Sequence, residues 1–194
     1  RLLSAGTWVV LVGPRQHGKT SGLVRVAHQL ERGGIPSAFV DMQAFASTTS
    51  SYSDLLGWLA GTMASALGVP PAATPSRAAE DLEGWLEGCM PAGRGTVALI
   101  LDEAAAIPEA HRTRFFSQMR AIFNSRATSR SDSIGNRLVV VFSGTFDPEE
   151  LISGENSPFN ICDQLETADL SRDEVLVVST AILERRVLRL DYYK

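Results

Sequence analysis

"GPRQHGKT", residues 13–20, is the stretch on which the reading of this chain turns. Gly13 and Gly18 bracket four variable residues, and Lys19 and Thr20 follow directly. The lysine stands out, because of 18 basic residues only Lys19 and Lys194 are lysines and the remaining 16 are arginines. A compact ammonium on a flexible stem and a planar guanidinium are not interchangeable. Position 19 therefore asks for a thin, extended cation.

The flanks say what that cation is for. "TWVVLV", residues 7–12, is a short β-branched apolar run and reads as a buried strand. From Lys19 onward, Leu23, Val26, Ala27 and Leu30 recur at helical spacing until Gly33 and Gly34 close the segment. Strand, glycine-bounded loop and helix, in that order, are the context of a phosphate-binding loop. In such a loop the backbone N–H groups point inward at closely spaced phosphate oxygens, and the glycines permit both the turn and the close approach. Gly13, Pro14, Arg15, Gln16, His17 and Gly18 are then the residues expected to wrap a nucleotide's phosphates. The helix N-terminus adds its partial positive charge. Lys19 is expected to reach the β- and γ-phosphates, Thr20 to take one Mg²⁺ position and Ser21 to add a hydroxyl near the α-phosphate.

A second element completes this chemistry. "VALILDEA", residues 97–104, is an apolar run ending in two acids. Asp102 at the tip of a buried strand is placed to hold Mg²⁺ through its water shell, and Glu103 to orient and polarise an attacking water. Glu103 and Lys19 are thus the candidate catalytic residues, and Thr20 and Asp102 the candidate metal ligands. "LVVVFSGT", residues 138–145, puts Ser143 and Thr145 at another strand end. Either can sense a γ-phosphate, and a plain serine-glycine turn accounts for them as well.

The remaining pattern alternates strands with helices. "SAFVDM" gives a strand ending near Asp41, and a helix is expected from about Ser53 to Gly68. "GVPPAATPS" is a loop, with Ser76 capping a helix through about Met90. Pro108 opens a helix carrying Phe115, Phe116, Met119, Ile122 and Phe123. "NSRATSRSDSIGN" reads as a polar, mobile connection, and Ser171 with Glu174 forms a capping box for a last helix. Nearly all-apolar strands between helices indicate an α/β fold with a mainly parallel sheet, whose ligands lie at the carboxyl ends of its strands.

Bulk properties narrow the function classes. At 194 residues and 44% hydrophobic, residues 1–194 suit one domain. The net charge of -4 lacks the basic balance of a nucleic-acid binder, so nucleic acid is possible but not favoured. Cys89 and Cys162 show no metal or disulfide spacing and read as small buried apolar residues. Apolar runs are strand-sized, far below the roughly 20 residues that span a bilayer. No stretch resembles a signal peptide, so the expected address is cytoplasmic, with no membrane partner. "RLLSAG" reads like the tail of a helix and "DYYK" follows an amphipathic stretch, which gives the expectation of flanking domains. Arg15 either leans over the phosphates or faces solvent. Arg126, Arg130 and Arg137 border the serine-rich segment, as an anion-binding or subunit-contact surface or simply as solvated side chains. None of His17, His28 and His111 points to catalysis or metal.

Taken together, "GPRQHGKTS", "LILDEA", "FFSQMRAIFNSRA", "FSGTFDPEELI" and "NSPFNI" resemble the AAA-like ATPase domain of bacterial STAND-type proteins, relatives of the AAA+ class. The likeness runs from about Trp8 to Ser171. It implies a three-layer P-loop NTPase fold of the ASCE/AAA+ type with a mainly parallel five-stranded sheet ordered 5-1-4-3-2. It implies Mg²⁺ with ATP or ADP as ligand, and a slowly hydrolysing switch that controls self-association of a larger protein with fused effector and sensor domains. Lys19 and Thr20 match the Walker A pair of that family, Asp102 and Glu103 its Walker B acids, and Ser143 or Thr145 its sensor position. Two departures stand out: no helical lid is evident after "NSPFNI", and no arginine lies between Gly144 and Leu170. The absence of a guanine-reading NKxD pattern favours adenine. The competing readings are an ATP-dependent nucleic-acid factor and a nucleotide-binding scaffold without turnover.

Overall fold

A computed structural model describes residues 3, 6–45, 51–70, 80–93, 95–152 and 157–167. Five parallel strands make one sheet in the spatial order β2-β3-β4-β1-β5, which is the expected 5-1-4-3-2 read from the other edge. They are β1 (Val9–Val12), β2 (Ser37–Asp41), β3 (Val97–Asp102), β4 (Leu138–Gly144) and β5 (Asp163–Glu166). The helices are α1 (Lys19–Arg32), α2 (Tyr52–Leu67), α3 (Leu82–Glu87), α4 (Glu109–Asn124) and two single turns, α5 (Ile134–Arg137) and α6 (Pro148–Leu151).

Composition explains the order of the strands. β3 and β4 are buried at every residue, as their unbroken apolar runs require of strands covered on both faces. Alternate residues divide between two cores. Val9, Ile100 and Val141 pack under Leu23 and Ala27 of α1, whereas Val10, Val12, Leu99, Leu101, Val140 and Phe142 face the layer built from α2, α3 and α4. Trp8, fully buried, joins β1 to β4 by donating its indole N–H to the carbonyl of Leu138 at 2.9 Å. Its ring meets Phe123 edge-on at 5.3 Å.

Local signals set the helix ends. Ser51 and Asp54 form a reciprocal capping box at the start of α2, and Gly68 closes that helix at φ 64°. α1 ends as expected at Gly33, whose N–H reaches the carbonyl of Gln29 at 3.0 Å.

Two expectations need correction, and one strand has no counterpart in the sequence pattern. The third helix begins at Leu82 after Asp81, not as a continuous run into Met90, and its Ser76 cap lies outside the described residues. The serine-rich segment is not a loose connection: a 3₁₀ turn over Ser125–Ala127 and α5 occupy it. β5 cannot be read in the residues themselves, because "DQLE" is exposed at all four positions and carries no apolar signal. The helix capped by Ser171 lies outside the described residues.

Candidate functional site

The carboxyl ends of β1, β3 and β4 meet at one place because the sheet is parallel and in register. Leu11 pairs with Ser143 across β1 and β4, Leu101 with Phe142 across β3 and β4, and Asp41 with Asp102 across β2 and β3. Three tips therefore present their polar residues side by side.

Between β1 and α1 the loop turns on three residues of positive φ, Gly13 at 154°, Gln16 at 65° and Gly18 at 76°. Gly18 immediately precedes α1, so the loop's amides and the helix N-terminus face the same space. Gly13 is required for another reason. A Cβ at that position would overlap Oγ1 of Thr167, the residue after β5, whose N–H also donates to the carbonyl of Val12 at 3.0 Å.

Lys19 is only 6% exposed, rare for a lysine with no carboxylate partner among the described residues. Its Nζ donates to the carbonyls of Gly13 and Pro14, each at 2.7 Å, and to Thr145 Oγ1 at 3.2 Å. The Thr20 hydroxyl donates to Asp102 Oδ2 at 2.6 Å. Asp102 Oδ1 and Ser143 Oγ are both buried and have no hydrogen-bond partner among the described residues. Each such atom costs about 1–3 kcal/mol, more for a charged one, unless water, an ion or a ligand satisfies it. Two of them on adjoining strand tips, beside a threonine hydroxyl, fit a hydrated hard cation, and Mg²⁺ retains waters in this way. Among the described residues there is no group of three or more His, Cys, Asp or Glu side chains that could hold a metal alone. Thr20 and Asp102 are the side chains here that could contribute to such a site.

Glu103 takes the left-handed conformation, φ 51° and ψ 49°, and opens a 3₁₀ turn over Ala104–Ala106. It lines a cavity of 430 Å³ together with Arg15, Gln16, Gly18, Lys19, Thr20, Ser21 and Gln43. Most of the residues predicted from sequence are thus gathered in one space, with Asp102 beneath Thr20 and Thr145 beside Lys19. Gly13, Pro14 and Thr145 instead border a larger cleft of 840 Å³, lined also by Asp147, Glu149, Glu150 and Glu166. Four carboxylates disfavour a polyphosphate there, whereas the smaller cavity lies at the helix N-terminus, whose partial positive charge suits an anion. His17 lines neither space.

Gln43 carries no expectation from the sequence. It follows β2, in a 3₁₀ turn whose entry is fixed by Asp41 accepting the Gln43 N–H at 2.9 Å, and it brings an amide to the cavity that also holds Glu103. A glutamine after a strand has no distinctive signal. The other arginines find main-chain partners. Arg126 donates to the carbonyls of Gly135, Gly6 and Leu138, and Arg137 to those of Gly95 and Pro91, so both brace the chain around the serine-rich segment. Arg130 is exposed beside Asp132.

The loop after β4 is pinned by aromatics. A Cβ on Gly144 would lie 2.6 Å from the Phe146 ring, which folds back to meet Phe159 at 5.6 Å. Phe159 sits in a 3₁₀ turn, Pro158–Ile161, that Ser157 caps and that Arg120 of α4 holds by donating to the Ser157 carbonyl at 2.7 Å. Thr145 is thereby steadied next to Lys19.

Comparison with known proteins agrees with this geometry. A family model described as "AAA domain" matches residues 3–151. Among curated protein sequences, none matches the chain. Solved structures share its fold at low identity. The ORC1 protein of Aeropyrum pernix, in complex with DNA, superposes with a TM-score of 0.60 at 14% identity, over 92% of this chain and 44% of that one. The ORC2 protein of the same organism, in its ADPNP-ADP complexes, gives 0.56 at 16% identity, over 95% and 48%. Cdc6p from Pyrobaculum aerophilum gives 0.53 at 15%, over 89% and 41%. The chain spans less than half the length of each of these proteins. No helix among the described residues is long and apolar enough to cross a membrane. With a family model matching residues 3–151, and with the glycine-bounded loop after β1 and the acid pair at the end of β3 on the same edge of the sheet, β4 between them, the chain belongs to the AAA domain family.

Proposed function

We propose that this domain binds Mg-ATP in the cavity between the phosphate loop and Glu103 and hydrolyses it slowly. Its nucleotide state then acts as a switch that governs self-association of a larger protein of the STAND type, with effector or sensor domains fused to it. The observation that carries the reading is the convergence of Lys19, the Thr20–Asp102 pair and Glu103 on one cavity at the α1 N-terminus.

Each residue has a part. Loop amides and the helix N-terminus bind the phosphates, and Lys19 exchanges two carbonyl oxygens for β- and γ-phosphate oxygens. Thr20 and Asp102 hold Mg²⁺, which when bound neutralises charge on the triphosphate. Glu103 orients the attacking water and accepts its proton, while the hydroxyls of Thr145 and Ser143 receive the γ-phosphate. Ser21 reaches the α-phosphate, and Arg15 covers the open side of the cavity.

The test is single-turnover hydrolysis by the wild type and Glu103→Gln, beside calorimetric titration with Mg-ATP. Loss of about 100-fold or more in rate with affinity retained supports the assignment, in the range expected of a general base. Equal inertness of both proteins, with nucleotide still bound, would make the domain a scaffold that does not turn ATP over.

A second reading, an ATP-dependent factor acting on nucleic acid, draws on the likeness to an ORC1 protein solved with DNA. The net charge of -4 speaks against broad capture of DNA. Salt-dependent DNA binding by the chain is the result that would favour it.

A further inference from the structure

We propose that Arg112 is a positioning residue for Glu103: from α4 it holds the turn that follows Glu103 and so keeps that carboxylate aimed into the cavity. The inference rests on Glu103 being the base.

A left-handed conformation costs an ordinary residue about 1–2 kcal/mol and persists only where its surroundings over-determine it. Within the turn itself one strong bond does this, from the Ala106 N–H to the Glu103 carbonyl at 2.8 Å; the next, Ile107 N–H to Ala104, is long at 3.4 Å. A three-residue 3₁₀ turn of this kind is weak alone. Arg112, in the first turn of α4, supplies the outside hold. Its Nη2 donates to the carbonyl of Ala105, in the middle of the turn, at 2.9 Å and to that of Ile107, the residue after it, at 3.2 Å. Its Nε is buried with no partner among the described residues. The guanidinium is therefore kept against the turn at a desolvation cost instead of swinging out to water. Arg112 does not line the cavity, so its influence runs through the backbone to Glu103.

A side chain that only stapled the fold would lower stability and affect every function of the site alike. Arg112→Gln and Arg112→Lys, each alone and combined with Glu103→Gln, separate the two roles. Arg112→Gln is expected to slow single-turnover hydrolysis by about 100-fold, the effect of a misplacement near 1 Å, while the affinity for Mg-ATP stays within about twofold. In the Glu103→Gln background it should cost nothing further, because an absent base cannot be misaimed. Arg112→Lys, able to donate to both carbonyls, should recover most of the rate. Equal losses in both backgrounds, or a matching loss of affinity, would overturn the proposal.

If Glu103→Gln leaves the rate unchanged, the base assignment itself has failed, and amide exchange still judges the positioning. Arg112→Gln should then speed exchange of the Ala106 amide at least about tenfold, as a local opening made easier by about 1.4 kcal/mol, without affecting Leu99 and Leu101 in β3. Unchanged Ala106 protection overturns it. Arg112→Lys serves the same measurement should the glutamine variant fail to fold.

Discussion

Lys19 and Arg126 each gather main-chain carbonyl oxygens, at opposite ends of the same parallel sheet. Lys19 draws in Gly13 and Pro14 where β1 ends, and Arg126 draws in Gly6, Gly135 and Leu138 where β1 and β4 begin. The donors differ in geometry. Arg126 spends three separate nitrogens on three acceptors at 2.6–2.7 Å, with its guanidinium 4.3 Å from the Phe123 ring centre and 5.4 Å from that of Trp8. Lys19 offers one nitrogen on a rotatable stem, and Pro14 lies in an exposed loop that water can re-solvate. A planar fork locked between rings is a permanent joint, whereas an ammonium-tipped stem can release its acceptors to a competing anion. The same kind of contact is locked at one end and, on the function proposed, exchangeable at the other.

The contrast can be broken in several ways. Removing the fork should have the largest effect. Arg126→Ala takes a donor from three carbonyls, of which Leu138 keeps the Trp8 indole, and charge-assisted bonds of this kind are worth about 1.5–3 kcal/mol each before non-additivity. A total loss of about 4 kcal/mol should lower Tm by roughly 10 °C in a domain of this size, while the folded fraction still binds Mg-ATP. A thermal melt that hardly moves would show that the three bonds are dispensable.

Lys19→Ala should do the reverse, weakening Mg-ATP by about 100-fold, or 2.7 kcal/mol, with Tm nearly unchanged. Calorimetry decides it, and unaltered affinity would remove Lys19 from the phosphate site. Smaller still is Lys19→Arg. It keeps the charge but not the thin shape, so affinity should fall by about tenfold, while Arg126→Lys recovers only part of the Tm lost in Arg126→Ala. If either exchange is silent, donor geometry is not what separates the two ends.

The finest test uses Cys162. Burial pushes its thiol up to about 12, Asp163 adds to the shift, and the charge of Arg126 opposes it. A raised acid favours the folded state while it stays protonated. The contribution is therefore complete below the ordinary thiol value of 9.0 and is lost as pH rises from there toward about 12. Removing the Arg126 charge in Arg126→Gln should raise the thiol further and slow its alkylation at pH 8. Faster alkylation would mean that the segment had opened instead.

What can be read from the residues follows the same division between side-chain and backbone signals. β1, β3 and β4 are legible because burial on both faces demands unbroken apolar runs, and the loop from Gly13 to Thr20 because phosphate binding constrains residue type and spacing together. Asp102 and Glu103 follow from their place at a strand end. β5 is not legible, since an exposed edge strand such as Asp163–Glu166 is held by backbone bonds to β1 and asks nothing of its side chains. Gln43 and Arg112 escape for a related reason: an amide after a strand, or an arginine early in a helix, has no pattern until the fold supplies its partners. The serine-rich segment misleads because its order comes from Arg126, which reaches the carbonyl of Gly6 far back in the sequence, and from the Asn136 amide, which donates to the Arg130 carbonyl and the Ser133 hydroxyl. "FFSQMRAIFNSRA" and "NSPFNI" read as separate motifs, yet Arg120 on the Ser157 carbonyl makes them one unit.

The contact of Thr167 with Gly13 bears on how mutagenesis of the loop is to be interpreted. The threonine hydroxyl fills the volume that any side chain at position 13 would need, and Gly13 itself sits at φ 154°, so Gly13→Ala strikes the outermost ribbon of the sheet and strains the loop backbone together. An inactive alanine variant there would report a dislodged sheet margin and a deformed turn and would not isolate any contact with a ligand. Substitutions at Lys19 and Glu103 are free of that confusion.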